Sequence, residues 1–186
     1  MQAGLSLDSV ASVASFFLSR IDVLVDQRLD ALAGSGDPSA ASLRGTAAIA
    51  YARLAYRIYG EMHASERWQR LAARGAHPQR LLWASTSAKD QAYSPVKYVE
   101  PLIGPETVNT LPPETLEAYR RQGNPALRLE QDLAQADATV ARLAQLGIDL
   151  EAVARQLEEE GVKKFVAPFD KLLASLEQRR QQLTPA

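Results

Sequence analysis

Short apolar runs edged by hydroxyl groups alternate in this chain with longer stretches whose apolar residues recur at helical spacing. The first run, Val10-Ala11-Ser12-Val13-Ala14-Ser15-Phe16-Phe17-Leu18-Ser19-Arg20-Ile21-Asp22, mixes β-branched, aromatic and small residues. That mixture fits a strand covered on both faces, as in a parallel sheet, with Ser15 and Arg20 near its carboxyl end. From Ile21 to Leu32 the apolar residues Val23, Leu24, Leu29 and Leu32 predict a helix, which Gly34-Ser35-Gly36-Asp37-Pro38 stops. Ser42 to Gly60, rich in alanine and apolar at Ile49, Leu54, Ile58 and Tyr59, predicts a longer helix. Ser65 to Ala73 predicts a short one, ended at Arg74-Gly75-Ala76-His77-Pro78.

The pattern then recurs. Arg80-Leu81-Leu82-Trp83-Ala84-Ser85-Thr86-Ser87 is apolar at its start and hydroxyl-rich at its end, so it predicts a second strand with polar groups at its carboxyl end. Between Lys89 and Pro105 the prolines and glycine imply a long loop holding a short helix at about Val96 to Leu102. Glu106-Thr107-Val108-Asn109-Thr110 makes a third short strand, closed by Pro112. Pro113 suits the first position of a helix over Glu114 to Arg121, which Gly123-Asn124-Pro125 ends. Leu127 to Leu146 predicts a helix stopped at Gly147, and Asp149 can cap another over Leu150 to Glu160 that ends at Gly161. A final amphipathic helix carries Phe165, Phe169, Leu172, Leu173 and Leu176 and needs a surface to cover, expected to be the rest of the domain.

Strand, helix, strand, helix, strand, helix is the order of an α/β fold with parallel strands joined by crossovers. Three strands are few, since a closed (β/α)8 barrel needs eight and typically about 250 residues. If the first strand belongs to such a barrel, a chain starting at Met1 is expected to lack the strands upstream, and its outer strands would be unpaired. No internal repeat or domain boundary stands out, so residues 1–186 read as one portion of a single domain.

Composition narrows the chemistry. With 46% hydrophobic and 23% charged residues and a net charge of -1, the chain has the make-up of a globular domain and no electrostatic reason to bind nucleic acid or an anionic membrane. There is no cysteine, hence no thiolate nucleophile, disulfide or cysteine metal site, and a cytoplasmic setting is the expectation. His63 and His77 lie apart, so a metal-independent chemistry is favoured, and no run has the length or apolarity of a membrane span. Arg20 has two readings on its own residues: a planar fork for phosphate oxygens, or a salt bridge to Asp22 or Asp26. Ser15 is equally a ligand or a small residue accepted for packing.

Four motifs in order decide between these. Val13-Ala14-Ser15-Phe16-Phe17-Leu18-Ser19-Arg20-Ile21-Asp22, Leu82-Trp83-Ala84-Ser85-Thr86-Ser87-Ala88-Lys89, Tyr98-Val99-Glu100-Pro101-Leu102-Ile103-Gly104-Pro105 and Thr107-Val108-Asn109-Thr110-Leu111-Pro112 together resemble the bacterial transaldolases, in the longer subfamily of cyanobacteria and actinobacteria. The resemblance covers nearly the whole chain. It implies a partial (β/α)8 TIM barrel, comprising about the last three βα units and the helices that follow them. It implies transfer of a dihydroxyacetone unit between sugar phosphates in the pentose phosphate pathway, without a cofactor, through a Schiff base on a lysine.

In the family that lysine, and the carboxylates that relay protons, lie on earlier strands; none of the three matches a position here. The resemblance carries over Ser15 and Arg20 as holders of the substrate phosphate and Phe17 as an aromatic lining the site. Ser85, Ser87 and Lys89, with Thr86, fall at the next strand end, where further contacts to substrate are expected. Lys89, Lys97, Lys163 and Lys164 are the amines to weigh as substitute nucleophiles, and all four read as surface lysines of ordinary basicity. The chain alone is therefore expected to be inactive. Its alternatives are a catalytically silent sugar-phosphate-binding or assembly protein, self-associating through exposed barrel edges, or a piece of a transaldolase fused to a glucose-6-phosphate isomerase.

Overall fold

The structure, a computed structural model, describes residues 6–183. It divides into two compact units, one reaching to Ile148 and the second beginning at Asp149. In the first, strands β1 (Val13–Phe17), β2 (Arg80–Ala84) and β3 (Thr107–Asn109) form a parallel sheet in the order β1-β2-β3. Helices α1 (Leu18–Gly34), α2 (Ala47–Ala64), α3 (Glu66–Ala72), α4 (Pro113–Gln122) and α5 (Leu133–Gln145) complete it, and α2 packs on both α1 and α5. The second unit is the single long helix α6 (Leu150–Leu183). No helix among the described residues is long and apolar enough to cross a membrane.

The register sets which side chains face the helices. Phe16 pairs with Trp83 and Trp83 with Asn109, so these three share one face. Phe16 meets the rings of Tyr51 and Trp83 edge-on at 5.6 and 5.9 Å, and the buried Trp83 indole donates to the Leu102 carbonyl at 3.2 Å. The opposite face carries Val13, Ser15 and Phe17, all exposed. The first run was expected to be covered on both faces, but among the described residues β1 is covered on one. Nor does any described strand pair with the outer edges of β1 and β3.

Several predicted boundaries shift for identifiable reasons. Arg20 was expected near the carboxyl end of the first strand, yet α1 begins at Leu18 and puts Arg20 in its first turn. The predicted helix from Ser42 splits into a 3-10 turn (Ala40–Leu43) and α2, because Gly45 adopts a left-handed φ of +67° between them. The loop helix reduces to a 3-10 turn at Glu100–Leu102. Residues 127–132 are not helical, since the Arg128 and Leu129 amides both donate to the Ile103 carbonyl and Asp132 turns left-handed before α5. Gly161 does not end its helix: α6 continues through it and through Pro168. Asp149 does cap α6, its Oδ1 accepting from the Glu151 amide at 2.9 Å, and Pro113 does open α4.

A buried carboxylate pair on α1 holds the first unit together. Asp22, 1% exposed, accepts from the Ala48 amide at 2.8 Å and the Tyr98 hydroxyl at 2.8 Å, and pairs with the Lys97 ammonium at 3.0 Å. Ala48 lies in the first turn of α2, whose N-cap residue Thr46 supplies no side-chain cap, so Asp22 caps α2 from another helix. One turn further along α1, Asp26 accepts from the Gly45 amide at 2.8 Å and the Tyr93 hydroxyl at 2.6 Å. Lys97 was read as a surface amine. Its side chain is instead 14% exposed, with its ammonium 3.3 Å from the centroid of Tyr93 as well as paired to Asp22.

Asp22→Ala should cost about 3–5 kcal/mol, because it leaves a buried ammonium, a phenol and a helix-start amide without their acceptor. Urea unfolding followed by circular dichroism measures it, and Asp22→Asn, which keeps an acceptor, should cost less. A methyl group at Gly45 would collide with the Lys97 ammonium and come within 2.7 Å of the Tyr93 ring, at a φ that side chains resist. Gly45→Ala should therefore lower stability by about 2 kcal/mol or more in the same assay.

Candidate functional site

Alternation along β1 turns Ser15 and Phe17 to the same exposed face, and the immediate start of α1 adds Arg20 one turn into the helix. The guanidinium carbon of Arg20 lies 4.5 Å from the Phe17 ring centroid, so the aromatic face holds the cation beside the strand end. Neither Asp22 nor Asp26 takes Arg20 as an ion-pair partner; their oxygens are engaged by Lys97, Tyr98, Tyr93 and the two amides of the α2 approach. The salt-bridge reading of Arg20 is thus not realised. The first turn of α1 holds no acidic residue, so nothing there competes for the cation or opposes an anion at the positive end of the helix.

β2 brings the second group alongside. Phe17 is level with Ala84 in the sheet, and the Ser85 carbonyl accepts the Ser19 amide at 3.0 Å, which ties the end of β2 to the start of α1. Ser85 sits at φ +53°, a left-handed position that turns the chain sharply out of the strand. Beyond it the Lys89 ammonium donates to Ser87 Oγ at 2.7 Å. Thr86 is buried and bonds to the Thr110 carbonyl at 3.3 Å, joining the ends of β2 and β3 and leaving it a structural role. Five of the six predicted residues lie at or just beyond the carboxyl ends of two adjacent strands, with Arg20 in contact with Phe17 and Lys89 with Ser87, whereas Ser15 sits in the middle of β1, level with Leu82.

Ser87 and Lys89 line one cavity of about 530 Å³ together with Glu114 and Arg121. Lys89 also borders another of about 570 Å³, lined by Asp22, Asp26, Asp30, Arg44, Tyr93 and Tyr98, and Ser15, Phe17 and Arg20 are not among its lining residues. That cavity was not foreseen from sequence. Its carboxylates are largely committed, since Arg44 bridges Asp30 and Asp90, the latter at 2.9 Å. Its acidic walls suit a brace between α1 and the β2–β3 connection better than a seat for an anion. The signal that could have found it is the i, i+4 pair Asp22 and Asp26 on an otherwise apolar helix face, where a carboxylate is retained only with partners.

Comparison with known proteins identifies what this arrangement is similar to. Residues 1–176 match the family model described as Transaldolase/Fructose-6-phosphate aldolase. A protein named Transaldolase from Thiobacillus denitrificans is 49% identical over 174 residues, which is 94% of this chain and 48% of that relative. Another of that name from Parafrankia sp. is 48% identical over 187 residues, covering 100% of this chain and 49% of its own length. Transaldolase 2 from Nostoc sp. is 45% identical over 190 residues, or 98% and 50% respectively. The chain thus spans about half the length of the curated relatives it matches.

Burial pushes the Asp26 carboxyl above its ordinary value, against the hydrogen bonds from Tyr93 and Gly45 that pull it down. Between the ordinary value and the raised one the folded chain keeps a proton that the unfolded chain has lost. Asp26 therefore favours folding more as pH falls through that window, and less above it. The stability difference between the native chain and Asp26→Asn should shift in favour of the native chain from pH 7 to pH 4, as measured by paired urea titrations. A difference independent of pH would refute the raised carboxyl.

Proposed function

This chain belongs to the transaldolase/fructose-6-phosphate aldolase family, and on that premise we propose that it carries the phosphate-holding side of a transaldolase site. Arg20 and Ser15 bind the phosphate of the sugar, Phe17 lines the site beside them, and Ser85, Ser87 and Lys89 contact the substrate from the next strand end. The reaction served is transfer of a dihydroxyacetone unit from sedoheptulose 7-phosphate to glyceraldehyde 3-phosphate, giving erythrose 4-phosphate and fructose 6-phosphate. The observation that carries this reading is the Arg20 guanidinium, held by Phe17 at the carboxyl end of a parallel strand and paired with no carboxylate among the described residues. A guanidinium so placed is available for a bidentate pair with phosphate.

The sheet of three parallel strands, whose first strand is exposed on the face that bears Ser15 and Phe17, is read as an arc of a (β/α)8 barrel whose interior that face would line. The carbon-carbon bond of the ketose is cleaved in this chemistry once a lysine amine has condensed with the carbonyl, releasing water, to give an imine that accepts the electron pair. No lysine of this chain is read as that nucleophile. Lys97 is held by Asp22 and Tyr93, and Lys89 by Ser87. The 186 residues on their own are therefore proposed to bind sugar phosphate without turning it over, in a cytoplasmic setting, and to self-associate through the open edges of β1 and β3.

Arg20→Gln should weaken fructose 6-phosphate binding by roughly 10- to 100-fold in isothermal calorimetry, the worth of a charge-assisted bidentate contact. It should change unfolding stability by no more than about 1 kcal/mol, because only the contact with Phe17 is lost. Unchanged affinity would remove Arg20 from the site. Borohydride reduction in the presence of fructose 6-phosphate should leave the intact mass of this chain unchanged. A covalent adduct on any lysine would overturn the proposal that it lacks the nucleophile.

A further inference from the structure

A cavity of about 620 Å³ opens at the opposite end of the sheet from Arg20 and Ser85, against Ala14 near the start of β1 and Leu81 near the start of β2. Its volume is one that small-molecule sites commonly have. One wall is a run of rings. Tyr59 and His63 of α2 lie with centroids 4.0 Å apart, and the Trp68 indole of α3 meets the His63 imidazole edge-on at 4.6 Å. His63 Nδ1 faces the Tyr59 carbonyl at 2.6 Å, and because a carbonyl only accepts, Nδ1 is the nitrogen that donates. Ser65 Oγ donates to the Met62 carbonyl at 2.6 Å and accepts the Trp68 amide at 3.3 Å, which sets α3 so that Trp68 stands against His63. Gln79, on the same cavity, has no hydrogen-bond partner among the described residues.

Arg67 and Leu71 line this cavity and also an adjoining groove of about 670 Å³ along α3. Three of the five residues that line the groove are arginines: Arg67, Arg70 and Arg74, at i, i+3 and i+7 on one side of α3 and of the turn after it. None of the three has an ion-pair or hydrogen-bond partner among the described residues. Glu66, one turn before Arg70, does not pair with it, and the Asp8 carboxylate, beside Gly75, takes the Ser6 hydroxyl. Among the described residues no acidic side chain lines either the cavity or the groove. Three guanidiniums within two turns repel one another and concentrate positive potential, which an anion of several charges relieves.

A ring-lined apolar cavity that runs into an uncompensated arginine cluster fits a ligand with the same two halves, a flat ring joined to a chain of anionic groups. We propose that this face binds a nucleoside di- or triphosphate. The base enters the cavity against Trp68 and His63, with the Gln79 amide at its polar edge. The phosphates lie along Arg67, Arg70 and Arg74, whose planar forks match their oxygens. Arg67, which borders both hollows, stands where base and phosphates join. The site shares no residue with the sugar-phosphate site at the other strand ends and does not rest on that reading.

Isothermal calorimetry with ADP, adenosine and pyrophosphate separates the two halves. ADP should bind the native chain at one site, with adenosine and pyrophosphate each at least tenfold weaker. Arg70→Gln with Arg74→Gln, both on exposed side chains, should weaken ADP at least tenfold and leave the melting temperature unchanged. Trp68→Ala should weaken ADP and not pyrophosphate, and Trp68→Phe, which keeps a ring, should retain most of the native affinity. Arg20→Gln should leave ADP binding unchanged. Absence of saturable ADP binding, pyrophosphate binding as tightly as ADP, or displacement of ADP by fructose 6-phosphate would overturn the proposal.

Discussion

A buried carboxylate, Asp22, ties α1 to α2 and to the β2–β3 connection. It is nearly removed from water, and charge in that position is tolerated only when every oxygen is engaged. Its partners come from two places: the start of α2, and Tyr98 and Lys97 of the β2–β3 connection. Asp26 repeats the arrangement one turn later through Gly45 and Tyr93. Between them the two aspartates tie α1 to the approach of α2 and to the β2–β3 connection. The first turn of α1 is the turn that presents Arg20.

This places the structural and the candidate functional chemistry on one helix with opposite demands. Asp22 and Asp26 face inward and spend their charge on amides, phenols and an ammonium. Arg20, a few residues earlier, keeps its charge unspent and rests on the ring of Phe17. The bond from Ser19 to the Ser85 carbonyl then couples α1 to the second strand end, so that the serines and lysine after β2 are held at the same edge of the sheet. The cavity under Arg44 and Tyr93 belongs to the inward set, and its four aspartates, Asp22, Asp26, Asp30 and Asp90, make it a poor seat for phosphate.

The strands and most helices were legible because they rest on local signals. A β-branched run closed by hydroxyls, a proline opening α4 and an aspartate capping α6 each act within a few residues. What escaped depends on partners far along the chain. Lys97 reads as a surface amine until Asp22 is brought beside it, and residues 127–132 carry helical spacing but lose their amides to Ile103. Gly161 failed as a stop because one glycine costs only about 1 kcal/mol inside a run of good helix formers. The bare face of β1 could not be read from its own composition either, since the sequence of a strand tells which residues suit a covering and not whether one is present.

The most direct test of the sugar-phosphate site is a titration of isotopically labelled chain with fructose 6-phosphate, followed by amide chemical shifts, with fructose as the control lacking phosphate. The predicted result is a set of shifts confined to the ends of β1 and β2 and the first turn of α1, centred on Ser15, Arg20 and Ser85 and absent with fructose. Shifts centred instead on Arg44, Asp90 and Tyr93, or equal responses to the two sugars, would contradict it.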